Sequence, residues 1–197
     1  MSGVDLLHLE GLYEDSDDPW DFRTSLYEKK KFADTLAALK ETRYRAILEV
    51  GCGNGELGRL LAARTTDYIG FDAIETAIRS ASRAVPNGEF HLGFFPCFLP
   101  EGGFDLIVVS EFLYFLSEGA IGKLAEQIMR RWPDAEIVSV NYLGASGNPL
   151  EGTAAADLFT ALLASGHYDH TVMIQAPKYR IDRFLSSRQG TEAQVGQ

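Results

Sequence analysis

The stretch Ala46-Ile47-Leu48-Glu49-Val50-Gly51-Cys52-Gly53-Asn54-Gly55-Glu56-Leu57-Gly58 decides how this chain is read. A short apolar run is cut by three alternate glycines, and a helical pattern follows directly. Such a pattern describes a strand that turns sharply, exposes backbone N–H groups and feeds a helix N-terminus. Glycine is needed where a side chain would block the turn or a ligand's approach.

Upstream, Ser25-Leu26-Tyr27-Glu28 has the spacing of a capping box, and Phe32, Leu36 and Leu39 recur at helical intervals. A helix over about 25–41 is expected, then a strand over 45–50. Downstream the pattern alternates: helix 56–64, strand 67–72, helix 74–84 stopped by Pro86, strand 89–95, strand 104–109, helix 117–131 and strand 135–141. After a Gly/Asn/Pro-rich loop at 144–152, a helix over 153–165 ends at Gly166. Strands at 167–176 and 179–186 then meet at Pro177-Lys178. Alternation of this kind predicts an α/β, Rossmann-like doubly wound sheet, mostly parallel, with an antiparallel C-terminal edge pair. The near-continuous apolar run Phe104-Asp105-Leu106-Ile107-Val108-Val109 is what a strand covered on both faces requires. Ligands of such a fold bind at the carboxyl ends of the strands.

The 197 residues suit one domain: an acidic lead-in over 1–24, the main domain over 25–186 and a polar, flexible tail over 187–197. The lead-in, with Glu10, Glu14, Asp15, Asp17, Asp18 and Asp21, reads as a loose loop. A net charge of −10 disfavours nucleic acid and anionic membrane surfaces, and leaves a small-molecule or cationic substrate. No apolar run approaches a membrane span and the N-terminus lacks the basic start of a signal peptide, so a cytoplasmic protein is expected. Cys52 and Cys97 have no metal-ligand spacing and read as free thiols. His91 reads as a buried structural residue. His167 and His170 would point to opposite faces of a strand, which argues against a metal site.

Two registers compete for the glycines. Gly53-x-Gly55-x-x-Gly58 fits a dinucleotide loop, and an acid about twenty residues on would hold a ribose. Alternatively Gly51-x-Gly53-x-Gly55, preceded by Glu49, fits a loop for S-adenosylmethionine. A pyrophosphate would be repelled by Glu49, whereas a sulfonium and an ammonium would be attracted. The second register also begins where the turn must begin, after Val50. Its helix-start N–H groups would be left to meet the methionine carboxylate. Asp72, closing the second strand, can accept hydrogen bonds from both ribose hydroxyls. Cys52 and Ala73 flank these residues and complete the expected cofactor contacts.

At this point the chain resembles the seven-strand S-adenosylmethionine-dependent methyltransferases over roughly residues 25–186. A closer likeness lies in Asp18-Pro19-Trp20, in Ser25-Leu26-Tyr27-Glu28-x-x-Lys31 and in Phe104 to Leu116, which is similar to the NodS family. That family comprises rhizobial N-methyltransferases acting on the free amine of a deacetylated chitooligosaccharide. The resemblance implies a strand order 3-2-1-4-5-7-6, a lead-in folded over the cofactor with Trp20 as lid, and Lys31 paired with the methionine carboxylate. Such enzymes often place an Asp after the third strand to bind the adenine amine. Here that stretch is Leu92-Gly93-Phe94-Phe95-Pro96, so Phe94 and Phe95 are expected to sandwich the base.

Ser110-Glu111-Phe112-Leu113-Tyr114 follows the fourth strand, on the rim where a methyl group would be presented. Glu111 could take or orient an amine proton, Tyr114 could position the acceptor, and Ser110 would touch the cofactor. Asn141 and Tyr142 are expected to line the acceptor pocket. The reading is a small-molecule methyltransferase, N-methylating an amine such as an amino sugar. Its alternatives are an O-methyltransferase, an NAD(P)-linked oxidoreductase using the Gly53 register, and a cofactor-binding subunit without activity.

Overall fold

In the computed structural model, which describes residues 3–187, a short helix α1 (Leu6–Leu12) precedes α2 (Leu26–Ala38). Then come β1 (Tyr44–Val50), α3 (Glu56–Ala62), β2 (Thr65–Asp72), α4 (Glu75–Ala84), β3 (Glu89–Leu92) and β4 (Leu106–Ser110). The chain ends with α5 (Glu118–Arg131), β5 (Glu136–Tyr142), α6 (Gly152–Ser165), β6 (Tyr168–Gln175) and β7 (Tyr179–Ser186). The seven strands form one sheet in the order β3-β2-β1-β4-β5-β7-β6. Strands β1 to β5 pair in parallel, and β7 runs antiparallel to both β5 and β6. This is the doubly wound architecture and the strand order expected.

Strand alternation sorts the core. In β4, Ile107 and Val109 join the cluster that includes Leu48, Val50, Ile121, Leu124 and Phe159, under α5 and α6. Leu106 and Val108 point the other way, joining Ile47, Val138, Phe32, Leu57 and Leu61 under α2 and α3. A strand feeding two cores must be apolar at every position, which is why β4 shows no alternation. β1 pairs with β2 on one side and β4 on the other, so the chain leaves it in opposite directions. That switch point opens a crevice at the carboxyl ends of β1 and β4.

Two expectations are corrected. Residues 6–12 are helical rather than a loop. Asp5 accepts from the His8 amide at 2.8 Å as an N-cap, and Leu6, Leu9 and Leu12 pack on Tyr13, Ile74 and Ala77. β3 stops at Leu92, short of Phe95, and the chain leaves the sheet there. The polar tail expected from 187 onward lies, after Ser187, outside the described residues.

Fully buried Ile107 and largely exposed Leu7 (80%) should respond differently to truncation. Ile107→Ala should lower stability by about 2–5 kcal/mol, whereas Leu7→Ala should stay within about 0.5 kcal/mol. Urea unfolding of both variants checks this.

Candidate active site

The glycine loop is built against its neighbours. Gly51 has φ +82°, and a Cβ there would come within 2.5 Å of the Ser110 carbonyl oxygen, so only glycine lets β1 and β4 converge. Most of the loop's donors are already used. The Phe71 carbonyl accepts from the amides of Gly51 (2.9 Å) and Cys52 (3.1 Å), and the Cys52 carbonyl accepts from Gly55 at 3.0 Å. The Gly53 amide donates to Asp72 Oδ2 at 2.9 Å. The turn thus consumes these four amides, and the helix-start amides of α3 lie beyond them.

Glu49 also differs from expectation. It shares the strand face of Ile47, beneath α3, where its side chain is 1% exposed as a residue and accepts a hydrogen bond from the Tyr68 hydroxyl at 2.5 Å. Gly58 has no side chain where Tyr68 and Glu49 lie; a Cβ there would sit 3.1 Å from Glu49 Oε2. Burial pushes the Glu49 carboxyl up to about 8, against the opposing bond from Tyr68. Its charged form is thus disfavoured, and the carboxyl lies outside the lining of the main cavity, where it was expected to attract a cation.

A cavity of about 940 Å³ opens at the carboxyl ends of β1, β2 and β4. Gly51, Gly53, Asp72, Ala73, Ser110, Glu111, Tyr114, Trp20, Lys31, Phe94 and Phe95 all line it. Glu49, Cys52 and Gly55 are not among its lining residues. Cys52 is buried behind the loop, and Gly55 packs on Ala81 of α4. Asp72 accepts from the amides of Gly53 and Ile74, at 2.9 and 3.0 Å. Burial raises its pKa and these backbone donors oppose the rise. With the Ala73 amide also acting on it, the carboxylate keeps acceptor capacity for a ligand.

The aromatic wall is not the sandwich expected. Phe95 is buried, with its ring edge-on to Phe112 at 6.2 Å, while Phe94 is 43% exposed. On the roof, Trp20 lies edge-on to Tyr13 at 5.5 Å and against Phe22 at 5.6 Å. Asp18 anchors this roof to the glycine loop: Oδ1 accepts from Asn54 Nδ2 and from the Phe22 amide, both at 2.8 Å.

Glu111 lies just after β4 with φ +51°, a conformation a non-glycine residue holds only when its surroundings insist. Its carboxylate accepts from Lys31 Nζ at 2.5 Å, from the Tyr114 hydroxyl at 2.7 Å and from the Tyr142 amide at 2.9 Å. Lys31, 3% exposed, also lies 2.8 Å from Glu28 Oε2 and 3.1 Å from Oε1. Its Nζ stands 5.3 Å from the Tyr27 ring centroid. Burial would lower the Lys31 pKa, but Glu111 and Glu28 outweigh it and the pKa is raised. The Lys31 ammonium is thus held between two carboxylates of this chain, at the cavity wall.

Tyr142 lines the cavity as expected, but Asn141 is fully buried, donating to Ser139 Oγ at 2.8 Å. His91 is only partly buried, on edge strand β3 beside Glu89 at 2.5 Å. His170 pairs with Asp182 at 2.7 Å, away from the cavity. The residues missed from sequence are Tyr13, Phe22, Tyr27 and Glu28. Glu28 was hidden by its motif. The Ser25 hydroxyl does accept from the Glu28 amide at 3.3 Å, but the Ser25 amide donates to the Asp21 carbonyl. The Glu28 carboxylate is left for Lys31, and the i,i+3 spacing of these two residues was the available signal.

Because Glu49 has a raised pKa when folded, it favours the folded state below its ordinary range and loses that contribution as pH rises to about 8. Glu49→Gln should remove this share, up to ~1.4 kcal/mol per pH unit, from the slope of stability against pH. Urea midpoints of both proteins between pH 5 and 8 check it. Parallel slopes would show that Glu49 does not titrate there.

Comparison with known proteins places this geometry. A model of the family described as Nodulation protein S (NodS) matches residues 4–131, more than half of the chain. The nodulation protein S of Bradyrhizobium diazoefficiens is 32% identical over 107 residues, covering 52% of this chain and 51% of the relative. That of Rhizobium tropici is 32% identical over 115 residues, covering 56% and 48%. The chain thus spans about half the length of these curated relatives. The crystal structure of N-methyltransferase NodS from Bradyrhizobium japonicum WM9 with S-adenosyl-L-homocysteine shares the fold. Its TM-score is 0.74 at 20% identity, over 91% of this chain and 96% of that one. With Asp18-Pro19-Trp20, Glu28 and Lys31 all inside the matched span, the chain belongs to the NodS family.

Proposed function

We propose that the chain is an S-adenosylmethionine-dependent methyltransferase that N-methylates an amine on a small molecule, with an amino sugar as the leading acceptor. One observation carries the reading: in a chain of the NodS family, Gly51, Gly53, Asp72 and Ser110 share one cavity wall with Glu111 and Tyr114. The solved relative with S-adenosyl-L-homocysteine supports the same cofactor here.

The residues present fit that cofactor at three places. Asp72 keeps acceptor capacity for a ribose hydroxyl, Gly53 lines the cavity without a side chain, and Phe94 with Trp20 offers apolar faces to a base. When bound, the cofactor supplies an electrophilic methyl group on a sulfonium. Transfer then needs chiefly proximity and alignment. Glu111, locked by three donors, and Tyr114, whose hydroxyl is fixed by Glu111, set the direction of the acceptor. Residues 1–24 act as the lid, carrying Tyr13 and Trp20 onto the cavity. The net charge of −10 suits a cationic acceptor and not a nucleic acid. Among the described residues no helix is long and apolar enough to cross a membrane.

Calorimetry with S-adenosyl-L-homocysteine and with NADH tests the cofactor. Heat from the first alone supports the reading; tight NADH binding without it would overturn the reading in favour of an oxidoreductase. Asp72→Ala should weaken S-adenosyl-L-homocysteine binding by ~1.5–3 kcal/mol, the range for hydrogen bonds to a charged group. An unchanged affinity would remove Asp72 from the site.

A further inference from the structure

The cavity holds two carboxylates that share one ammonium, and their surroundings are unequal. Glu111 accepts from Lys31, from the Tyr114 hydroxyl and from the Tyr142 amide. Two of these donors fill both lone pairs of Oε2. Glu28 has Lys31 as its hydrogen-bonding partner, is 6% exposed, and also lines the cavity. The charged or titratable groups acting on it are Lys31 and Tyr27 on α2, Glu111 and Tyr114 after β4, and Asp18 on the lead-in.

We propose that Glu28, not Glu111, takes the proton from the acceptor amine, while Glu111 remains the fixed anion that orients it. The proposal rests on the methyl-transfer reading above. Two carboxyl groups that share one ammonium but differ in their other donors can divide the roles of base and orienting group between them. Burial raises the Glu28 pKa despite Lys31, with Glu111 and Asp18 adding to the rise, which suits a group that must hold a proton briefly. Lys31 is a positioning residue: its ammonium keeps the pair from repelling and holds both carboxylates at the cavity wall.

The balance is simple. A primary ammonium arrives, attracted by the net single negative charge of Glu28, Lys31 and Glu111, and gives one proton to Glu28. The freed nitrogen lone pair takes the methyl group as the methyl–sulfur bond breaks, its electron pair staying on sulfur. The product leaves as a secondary ammonium, and Glu28 releases its proton to water.

The test needs no knowledge of the natural acceptor. The enzyme is labelled with ¹³C at the glutamate side-chain carboxyl groups, saturated with S-adenosyl-L-homocysteine, and followed by NMR from pH 4 to 9. Signals are assigned by Glu28→Gln and Glu111→Gln; if the first does not fold, Glu28→Asp serves. Methylammonium is then added as the smallest primary ammonium, with tetramethylammonium, which has no N–H proton, as control. The expected result is that Glu28 titrates above the ordinary glutamate range. Methylammonium should then shift the Glu28 carbon by donating an N–H to its carboxylate, and tetramethylammonium should not. Titration of Glu28 in the ordinary glutamate range, a shift confined to Glu111, or no shift at either overturns the proposal. Absence of S-adenosyl-L-homocysteine binding by calorimetry would instead overturn the methyltransferase reading, so the two failures are distinct.

Discussion

The site depends on one buried cation. Lys31 sits on α2 with its ammonium between Glu28 of the same helix and Glu111 beyond β4, so it ties a surface helix to the centre of the sheet. Removing one member of a buried ion pair leaves an uncompensated charge, which costs about 3–5 kcal/mol. Glu111 in turn reaches the Tyr142 amide at the end of β5, so three elements meet at one carboxylate. The left-handed backbone at Glu111 is tolerable because these bonds hold it there.

Much of this was legible in the residues. The uninterrupted apolar run of β4, the alternation of strand and helix, and the late strand pair lead to the doubly wound sheet with its antiparallel edge, and the family resemblance implied the strand order found. Glu49 shows where reading by proximity in sequence fails. It adjoins the glycines in sequence, yet strand alternation puts it on the face of Ile47, under α3 and away from the cavity. The period of two was present in the sequence; charge was given more weight than direction. α1 was missed because its acidic neighbours hid a sound pattern, an Asp5 cap followed by leucines at 6, 9 and 12. The partner of Lys31 could not be read from spacing alone, since Glu111 is 80 residues away and only the fold brings it near.

The glycine loop also has a changed meaning. Its amides are mostly spent inside the turn, two of them on the single carbonyl of Phe71. The loop therefore contributes shape and a firm backing for Asp72 more than an array of free donors. Recognition in this cavity falls to side chains delivered from elsewhere: Asp72 from β2, Trp20 and Tyr13 from the lead-in, Glu28 and Lys31 from α2.

The space above Gly58 carries a consequence for how this sequence can vary. The Tyr68 hydroxyl and the Glu49 carboxyl occupy the volume that a larger residue at position 58 would need. Three positions in two strands and a helix thus share one small volume and one hydrogen bond. Substitutions in direct contact do not add. A larger residue at 58 becomes tolerable only when Tyr68 shrinks, and Glu49, once without its donor, then has reason to become apolar. Across homologous sequences these three sites should change in concert, as a single inherited unit rather than as three independent residues.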